Sequence, residues 1–258
     1  RIWITGIAGF LGSHLADSLI AEGHEVCGND NLICGDADNS PVRFLQIDCC
    51  NFVRMRDALE EFKPDVLVHT AATASEGFSV FSPHFITRNI YEASVATFSA
   101  AIASGVKRIV TMSSMARYGH GNPPFNEEDA TAPVDPYGIA KVAAEQTLRV
   151  LCETHDVKWS ILVPHNIIGT RQQVTPYRNV CSIFLNRLKF NMPVYIYGDG
   201  WQKRCFSPVK DCLHSLVRAV VGDADGEVVN IGPDGSEITI NELLDICESV
   251  TALKAERI

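Results

Sequence analysis

Apolar residues along the chain recur with two different periods, and the two kinds of segment alternate. Between the strand-like runs, apolar residues repeat at helical spacing from Phe10 to Ile20 and in the ranges 51–62, 83–104 and 136–155. Strands that alternate with helices predict an α/β fold, a Rossmann-type doubly wound parallel sheet with helices on both faces. The predicted strands are Arg1–Thr5, His24–Asn29, Val42–Ile47, Val66–His69, Arg108–Met112 and Trp159–Val163.

The alternation breaks down after Pro164. Helical patterns follow in the ranges 176–191, 208–221 and 239–250, with one short strand at Glu227–Ile231. We therefore expect a smaller C-terminal lobe over residues 164–258, partly interleaved with a sheet domain over residues 1–163. The first residue is an arginine and the last helix is followed by few residues, so we also expect further chain at both ends, above all at the C-terminus.

The composition is that of an ordinary globular protein, with 46% hydrophobic and 21% charged residues among 258. A net charge of −9 argues against a nucleic-acid partner, which requires a basic surface. No run approaches the roughly 18 to 20 apolar residues of a membrane span, so we expect no membrane partner and a cytoplasmic location. The nine cysteines form no Cys-x-x-Cys pair and are interpreted as reduced thiols, and no metal site is expected.

Three glycines mark the first candidate site. Gly6, Gly9 and Gly12 follow the first predicted strand and open the first predicted helix. Such a turn lets the backbone approach a pyrophosphate, and the helix N-terminus supplies amide donors and positive dipole to it. The context of strand, turn and helix therefore predicts a dinucleotide site within residues 1–163.

Two aspartates refine the choice of cofactor. Asp30 ends the second predicted strand, eighteen residues past Gly12, where a carboxylate accepts hydrogen bonds from an adenosine ribose. It would repel the additional phosphate of NADP, and no Arg or Lys follows it until Arg43, so NAD is the expected cofactor. Asp48 ends the third strand and is open to two interpretations, an adenine contact or a cap for the next helix.

A tyrosine and a lysine form the candidate catalytic pair. Tyr137 and Lys141 are four residues apart, so on a helix both side chains reach one ligand. A neighbouring ammonium and an oxidised nicotinamide both favour tyrosinate, which predicts a lowered pKa for Tyr137. Ser114 follows the strand Arg108–Met112, at the edge of a parallel sheet where ligands bind, and its hydroxyl can share a proton with Tyr137. Ser113 is interpreted as structural.

These segments, taken together, resemble the extended short-chain dehydrogenase/reductase family, and within it the nucleotide-sugar epimerases of the UDP-glucose 4-epimerase type. The resemblance runs through nearly the whole chain and keeps the order of the family's motifs. It rests on Asp30 and on the segments TGIAGFLG (5–12), HTAA (69–72), SSMARYG (113–119), YGIAK (137–141), PHNIIG (164–169) and GDGWQKRCFSPVKD (198–211).

The resemblance implies a role for each matching position. Ser114, Tyr137 and Lys141 would form the catalytic trio, and a homodimer through the helices near 83–104 and 136–155 is expected. Asn166, Asn179 and Arg204, with Ser114, would bind the nucleotide-sugar substrate. The implied NAD-binding residues are Gly6, Gly9, Phe10, Leu11 and Gly12 at the pyrophosphate, Asp30 and Asn31 at the ribose, Asp48 and Cys49 at the adenine, and Ala71, Ala72, Asn89, Tyr137, Lys141 and Pro164 along the rest of the cofactor.

Two departures from the family pattern bear on the substrate. His165 stands where galactose epimerases usually carry an aromatic residue, which leaves the sugar open. The family's C-terminal segment usually supplies another arginine near the diphosphate, and Arg257 lies too close to the end of this chain to be assigned to that position.

The same family includes dehydratases, decarboxylases and keto-reductases, so the reaction has to be chosen among them. Dehydratases of this kind place acidic residues just after the catalytic serine, whereas this chain has Met115 and Ala116, which transfer no protons. Reductases often favour NADPH, which Asp30 disfavours. A NAD-dependent epimerisation, at carbon 4 of a nucleotide-diphosphate sugar, is therefore expected. The alternatives are another nucleotide-sugar oxidoreductase and a non-catalytic NAD sensor.

Overall fold

The computed structural model describes residues 1–121, 123–222, 224–233, 235 and 237–258. Its main sheet has seven parallel strands in the order β10-β6-β5-β4-β1-β2-β3. The predicted Rossmann-type sheet is thus confirmed. The strands of the described chain, including β7, β8, β9 and β11, which lie outside the main sheet, are as follows. They are β1 (Ile2–Thr5), β2 (Val26–Asp30), β3 (Leu45–Gln46), β4 (Val66–His69), β5 (Arg108–Met112), β6 (Lys158–Pro164), β7 (Ile167–Ile168), β8 (Lys203–Arg204), β9 (Ser207–Pro208), β10 (Glu227–Ile231) and β11 (Ile238–Thr239).

Helices cover both faces of this sheet. The sequence predicts one continuous helix over 83–104, whereas the structure has two helices joined by a π-helical turn at Arg88–Glu92. The helices are α1 (Phe10–Ala21), α2 (Phe52–Phe62), α3 (Glu76–Ser79), α4 (Pro83–Thr87), α5 (Ala93–Ala103), α6 (Pro136–His155), α7 (Val180–Lys189), α8 (Val209–Val221) and α9 (Ile240–Thr251).

Alternation of side chains along the strands divides the core between the two faces. In β1, Ile2 and Ile4 belong to the cluster under α1 and α8, whereas Trp3 between them belongs to the cluster under α2, α5 and α6. Full burial of a side chain of this size contributes about 1.5–3 kcal/mol, so both layers hold the sheet in place. The third strand was predicted over Val42–Ile47 but spans only Leu45–Gln46, because this edge segment is exposed and pairs with β2 alone.

The C-terminal part of the chain contributes to two structures. The strand Glu227–Ile231 was predicted to lie in the smaller lobe; this is wrong, because β10 pairs with β6 at the edge of the main sheet. Periodicity alone does not show which strand a segment pairs with. Helices α7 and α9 instead enclose a separate apolar cluster that includes Phe184, Leu188 and Leu244.

No helix in the described part of the chain combines the length and apolar character that crossing a membrane requires. No group of three or more His, Cys, Asp or Glu side chains in those residues is arranged to hold a metal ion.

Candidate functional site

One cleft runs across the carboxyl ends of the central strands, with a volume of about 950 Å³ including its open mouth. Every residue that the sequence predicts to bind the cofactor lines it, from Gly6 and Asp30 at one end to Tyr137 and Lys141 at the other. Their individual roles remain predictions. The lining residues that sequence reasoning missed are Asn29, Ile33, Cys34, Gly35, Ile47, Thr70, Thr73, Ala74, Ala93, Met112, Ser113 and Arg178.

The glycine turn between β1 and α1 is packed too closely for side chains. Gly6 has φ +69°, and a Cβ there would lie 2.8 Å from the Cα of Ala71. A Cβ on Gly12 would lie 2.2 Å from the carbonyl oxygen of Gly6. The N-cap of α1 is Gly9, which has no side chain to bond the first amides of the helix. The turn therefore offers a cradle of the kind that binds a dinucleotide pyrophosphate.

Asp30 lies at the end of β2 with only 6% of its surface exposed. Its Oδ2 accepts a hydrogen bond from the amide of Ala8 at 3.1 Å, and its Oδ1 accepts one from Leu32 at 2.8 Å. Burial raises the pKa of this carboxyl, and the amide donors oppose that rise. The two amide bonds hold the carboxylate in place. Each of its oxygens keeps a second lone pair, which can still accept a hydrogen bond from a ribose hydroxyl.

The structure tests one of the two interpretations of Asp48, the capping role. The N-cap of α2 is Asn51, whose side chain accepts from the amide of Arg54 at 3.1 Å. The capping interpretation of Asp48 is therefore wrong, because the helix begins three residues later than that role requires. Asp48 lies in the lining of the cleft instead, with its Oδ1 accepting from the amide of Cys50 at 2.8 Å.

The catalytic candidates come from β5 and α6. Asp135 caps α6 by accepting from the amide of Gly138 at 2.7 Å, and Pro136 occupies the first turn, so the helix begins just before Tyr137. Tyr137 and Lys141 are both 6% exposed and lie side by side, with the Lys141 Nζ 6.0 Å from the centre of the tyrosine ring. The same Nζ donates to the backbone carbonyl of Met112 at 2.8 Å.

Burial dominates the protonation of this pair in the chain alone. It raises the pKa of Tyr137 to about 12, against the opposing effects of a hydrogen bond with Ser114 and the charge of Arg178. The expected lowering by Lys141 is therefore absent from the chain itself, because desolvation of the phenolate outweighs the nearby cations. Burial also lowers the pKa of Lys141 to about 8, although the carboxylate of Glu145 favours its charged form.

A buried ion pair lies behind Lys141 and was not foreseen from the sequence. The Nη2 of Arg117 is 3.2 Å from the Oε2 of Glu145, and both side chains are 4% exposed. The hydroxyl of Ser113 donates to the other carboxylate oxygen. Glu145 follows Lys141 by one helical turn, which was the available signal, since an acid on a buried helix face needs a partner. The structural interpretation of Ser113 agrees with this contact.

Three of the four residues implied to bind the substrate line a second cavity, of about 650 Å³, whereas Ser114 is in the lining of neither cavity. Asn166 has φ +39°, and its amide donates to the carbonyl of Cys205 at 3.1 Å. Asn179 caps α7 by accepting from the amide of Cys181 at 3.0 Å. Arg204 lies exposed on β8. The tyrosines Tyr195 and Tyr197 also line this cavity, and sequence reasoning missed both.

The parallel sheet, the glycine turn and the Tyr137–Lys141 pair define an NAD-binding enzyme fold of the extended short-chain dehydrogenase/reductase type. The family model described as "NAD dependent epimerase/dehydratase family" matches residues 2–232. The chain therefore belongs to that family, and its cofactor is NAD.

Three proteins illustrate the similarity. UDP-glucose 4-epimerase of Mycolicibacterium smegmatis is 34% identical over 253 residues, which cover 94% of this chain and 80% of that protein. UDP-N-acetyl-alpha-D-glucosaminuronate decarboxylase of Bacillus cytotoxicus is 31% identical over 271 residues, which cover 97% of this chain and 80% of that protein. The solved structure of Thermus thermophilus UDP-glucose 4-epimerase complexed with NAD superposes with a TM-score of 0.93 at 29% identity, covering 100% of this chain and 85% of that one.

Proposed function

We propose that the protein epimerises a nucleotide-diphosphate sugar at carbon 4, through a transient keto-sugar. The observation that carries this proposal is the chemistry around Tyr137. Ser114 and Lys141 adjoin it, but the two side chains after Ser114 pack into apolar clusters, Met115 on one face of the sheet and Ala116 against Tyr137. Neither can move a proton, so the segment that carries the extra acids of a dehydratase has none.

The NAD-binding residues would be those that line the first cleft, with the glycine turn at the pyrophosphate and Asp30 at the adenosine ribose. When bound, NAD supplies a reversible hydride acceptor that is positively charged in its oxidised form. Tyr137 would take the proton of the sugar's 4-hydroxyl and return it in the reverse step, while Ser114 shares that hydrogen bond. Lys141 would hold a ribose hydroxyl and favour the ionised tyrosine.

Because the pKa of Tyr137 is raised, the site has to stabilise the ionised tyrosine before it can act as a base near neutral pH. Bringing it from about 12 to neutrality requires about 7 kcal/mol, at 1.36 kcal/mol per pKa unit. Positive charge gathered beside a desolvated phenol can supply energies of this order, because the surroundings screen it weakly. Tyr137 should therefore become an effective base only in the complete complex.

The test is incubation with a panel of UDP-, dTDP-, GDP- and CDP-linked hexoses and hexuronic acids, without added redox reagents, followed by mass spectrometry and NMR. We expect a product of unchanged mass whose configuration at carbon 4 is inverted. Loss of water from the sugar would instead identify a dehydratase, and loss of carbon dioxide a decarboxylase like the Bacillus cytotoxicus relative. Tight NAD binding with no turnover of any sugar would favour the sensor.

We also propose a homodimer that pairs α5 and α6 with their copies. Ile139 and Val150 are eleven residues apart on α6, which places them on one face, and they are 56% and 63% exposed. Both side chains would leave water if α6 packed against its copy, which would favour the dimer. Light scattering should give twice the mass of the chain, and Val150→Glu should give the monomer.

A further inference from the structure

Four charged residues line the first cleft, and three of them have close partners. Asp30 and Asp48 accept backbone amide bonds, and Lys141 donates to the carbonyl of Met112. The fourth, Arg178, is half-buried, and its guanidinium has neither an ion pair nor a hydrogen bond within the described ranges of the chain. A planar cation with five N–H donors is thus turned toward a ligand site without an acceptor.

Arg178 is carried by a segment that is fixed on both sides. The hydroxyl of Ser75 donates to the carbonyl of Tyr177 at 3.3 Å, and the rings of Tyr177 and Phe78 are 5.4 Å apart. On its other side, Asn179 caps α7. These contacts hold the backbone of Arg178 in place, so a ligand would meet a preorganised site rather than a free chain.

The two arginines of the site belong to different cavities. Arg204 lines the second cavity together with Asn166 and Asn179. Arg178 lines the cleft that contains Tyr137, and its charge opposes the rise in the pKa of that tyrosine. Arg178 is therefore the arginine whose charge acts on the proposed base.

We propose that Arg178 binds a carboxylate on the sugar, so that the preferred substrate is a nucleotide-linked hexuronic acid. This inference rests on the proposed function, which places the sugar beside Tyr137. A neutral hexose offers only hydroxyl oxygens, whereas a carboxylate matches the guanidinium with two parallel charge-assisted hydrogen bonds. A half-buried arginine without an acceptor gains most from such an anion.

Glu76 and Asp135 are acids whose charges also act on Tyr137. The side chain of Glu76 is exposed, yet removal from water, the largest cause, and repulsion by Asp135 raise its pKa, while the charge of Arg204 lowers it. A carboxylate bound at Arg178 would be repelled by these acids, and this repulsion weakens the preference that Arg178 creates.

The test is calorimetric measurement of Kd for UDP, UDP-glucose and UDP-glucuronate, repeated with the dTDP-linked set, on the protein loaded with NAD. Wild-type protein should bind the uronate at least tenfold more tightly than the neutral sugar. Arg178→Gln should reduce that ratio to about threefold or less while leaving the Kd of the free nucleoside diphosphate unchanged. Arg178→Lys should keep part of the ratio, because it keeps the charge. The matched control is Arg171→Gln, which removes an arginine that pairs with Asp17 at 2.7 Å outside the cleft lining.

Equal binding of the two sugars, or tighter binding of the neutral one, would overturn the inference. So would an Arg178→Gln protein that loses affinity for the free diphosphate as strongly as for the uronate, since Arg178 would then contact phosphate. If instead the proposed function were wrong, the binding and product measurements would give a different combination of results. The uronate preference would persist, but the product would have lost carbon dioxide or water instead of being inverted at carbon 4. If no sugar of either set bound, both ideas would be wrong.

Discussion

The guanidinium of Arg117 and the carboxylate of Glu145 form a buried ion pair, with Nη2 and Oε2 3.2 Å apart. The pair connects the turn after Ser114 to the helix that carries Tyr137 and Lys141. Removing one partner of a buried pair leaves an uncompensated charge and costs about 3–5 kcal/mol. Glu145→Gln should therefore lower the free energy of unfolding by an amount approaching this range, as measured by urea denaturation with the midpoint and slope fitted together.

A matched control for that experiment is Glu60→Gln. Glu60 lies on α2, 3.7 Å from Arg56, and its side chain is 54% exposed. An exposed pair of this kind contributes little to stability, because water and salt screen the two charges. If both variants lost the same free energy of unfolding, the buried Arg117–Glu145 pair would stabilise the fold no more than an exposed pair does.

Glu145 should also set the pH at which Lys141 loses its proton. Burial lowers the pKa of Lys141 to about 8, and the Glu145 carboxylate raises it by favouring the ammonium. In wild-type protein freed of cofactor, affinity for NAD should fall as the pH rises through about 8, because the ammonium proposed to hold the ribose is lost. In Glu145→Gln the fall should begin at a lower pH. A fluorescence titration from pH 6 to 10 measures this, and identical profiles would contradict the coupling.

The cofactor preference should follow from Asp30. Its buried carboxylate would face the ribose, where the additional phosphate of NADP would meet a like charge. Titration should therefore show tighter binding of NAD than of NADP, and tighter binding of NADP would refute the assignment. Asp38→Asn, which alters an exposed acid in the nearby turn Ala37–Asn39, should leave both affinities unchanged.

Arg204 should neutralise a phosphate of the substrate. It lines the second cavity, and charge-assisted bonds to phosphate contribute about 1.5–3 kcal/mol. Arg204→Ala should weaken binding of the nucleotide sugar by about tenfold or more, with NAD affinity intact. If the affinity for a free nucleoside diphosphate stayed at its wild-type value, Arg204 would be a surface residue without this role.

The sequence predicted the parts of the site that depend on local motifs. The glycine turn follows β1 within a few residues, and the Tyr137–Lys141 spacing is set by one helical turn, so both could be recognised in a single segment. Arg178 and the Arg117–Glu145 pair could not, because only the folded chain brings Arg178 to the cleft and Arg117 to Glu145. The same limit explains the misplaced strand β10, whose partner β6 lies more than sixty residues earlier in the chain.

The role of Tyr137 can be separated from its packing. Tyr137→Phe keeps the ring in the apolar cluster with Ile86 and Ile90 and deletes only the hydroxyl. Folding and NAD binding should be nearly unchanged, while turnover should fall by about 10² to 10⁴, the usual contribution of a positioned general base. Retention of more than about a tenth of normal turnover would transfer the role of base to Ser114 with a bound water.

The most direct test of the proposed epimerisation is the fate of the hydrogen on carbon 4. The substrate is a nucleotide sugar that the protein turns over, carrying deuterium at that carbon, and the product is analysed by NMR and mass spectrometry. If Tyr137 moves only the hydroxyl proton and the hydride returns to the same carbon, the epimer should keep its deuterium at carbon 4 and its mass. Deuterium lost to solvent, or recovered at another carbon together with loss of water, would contradict the account.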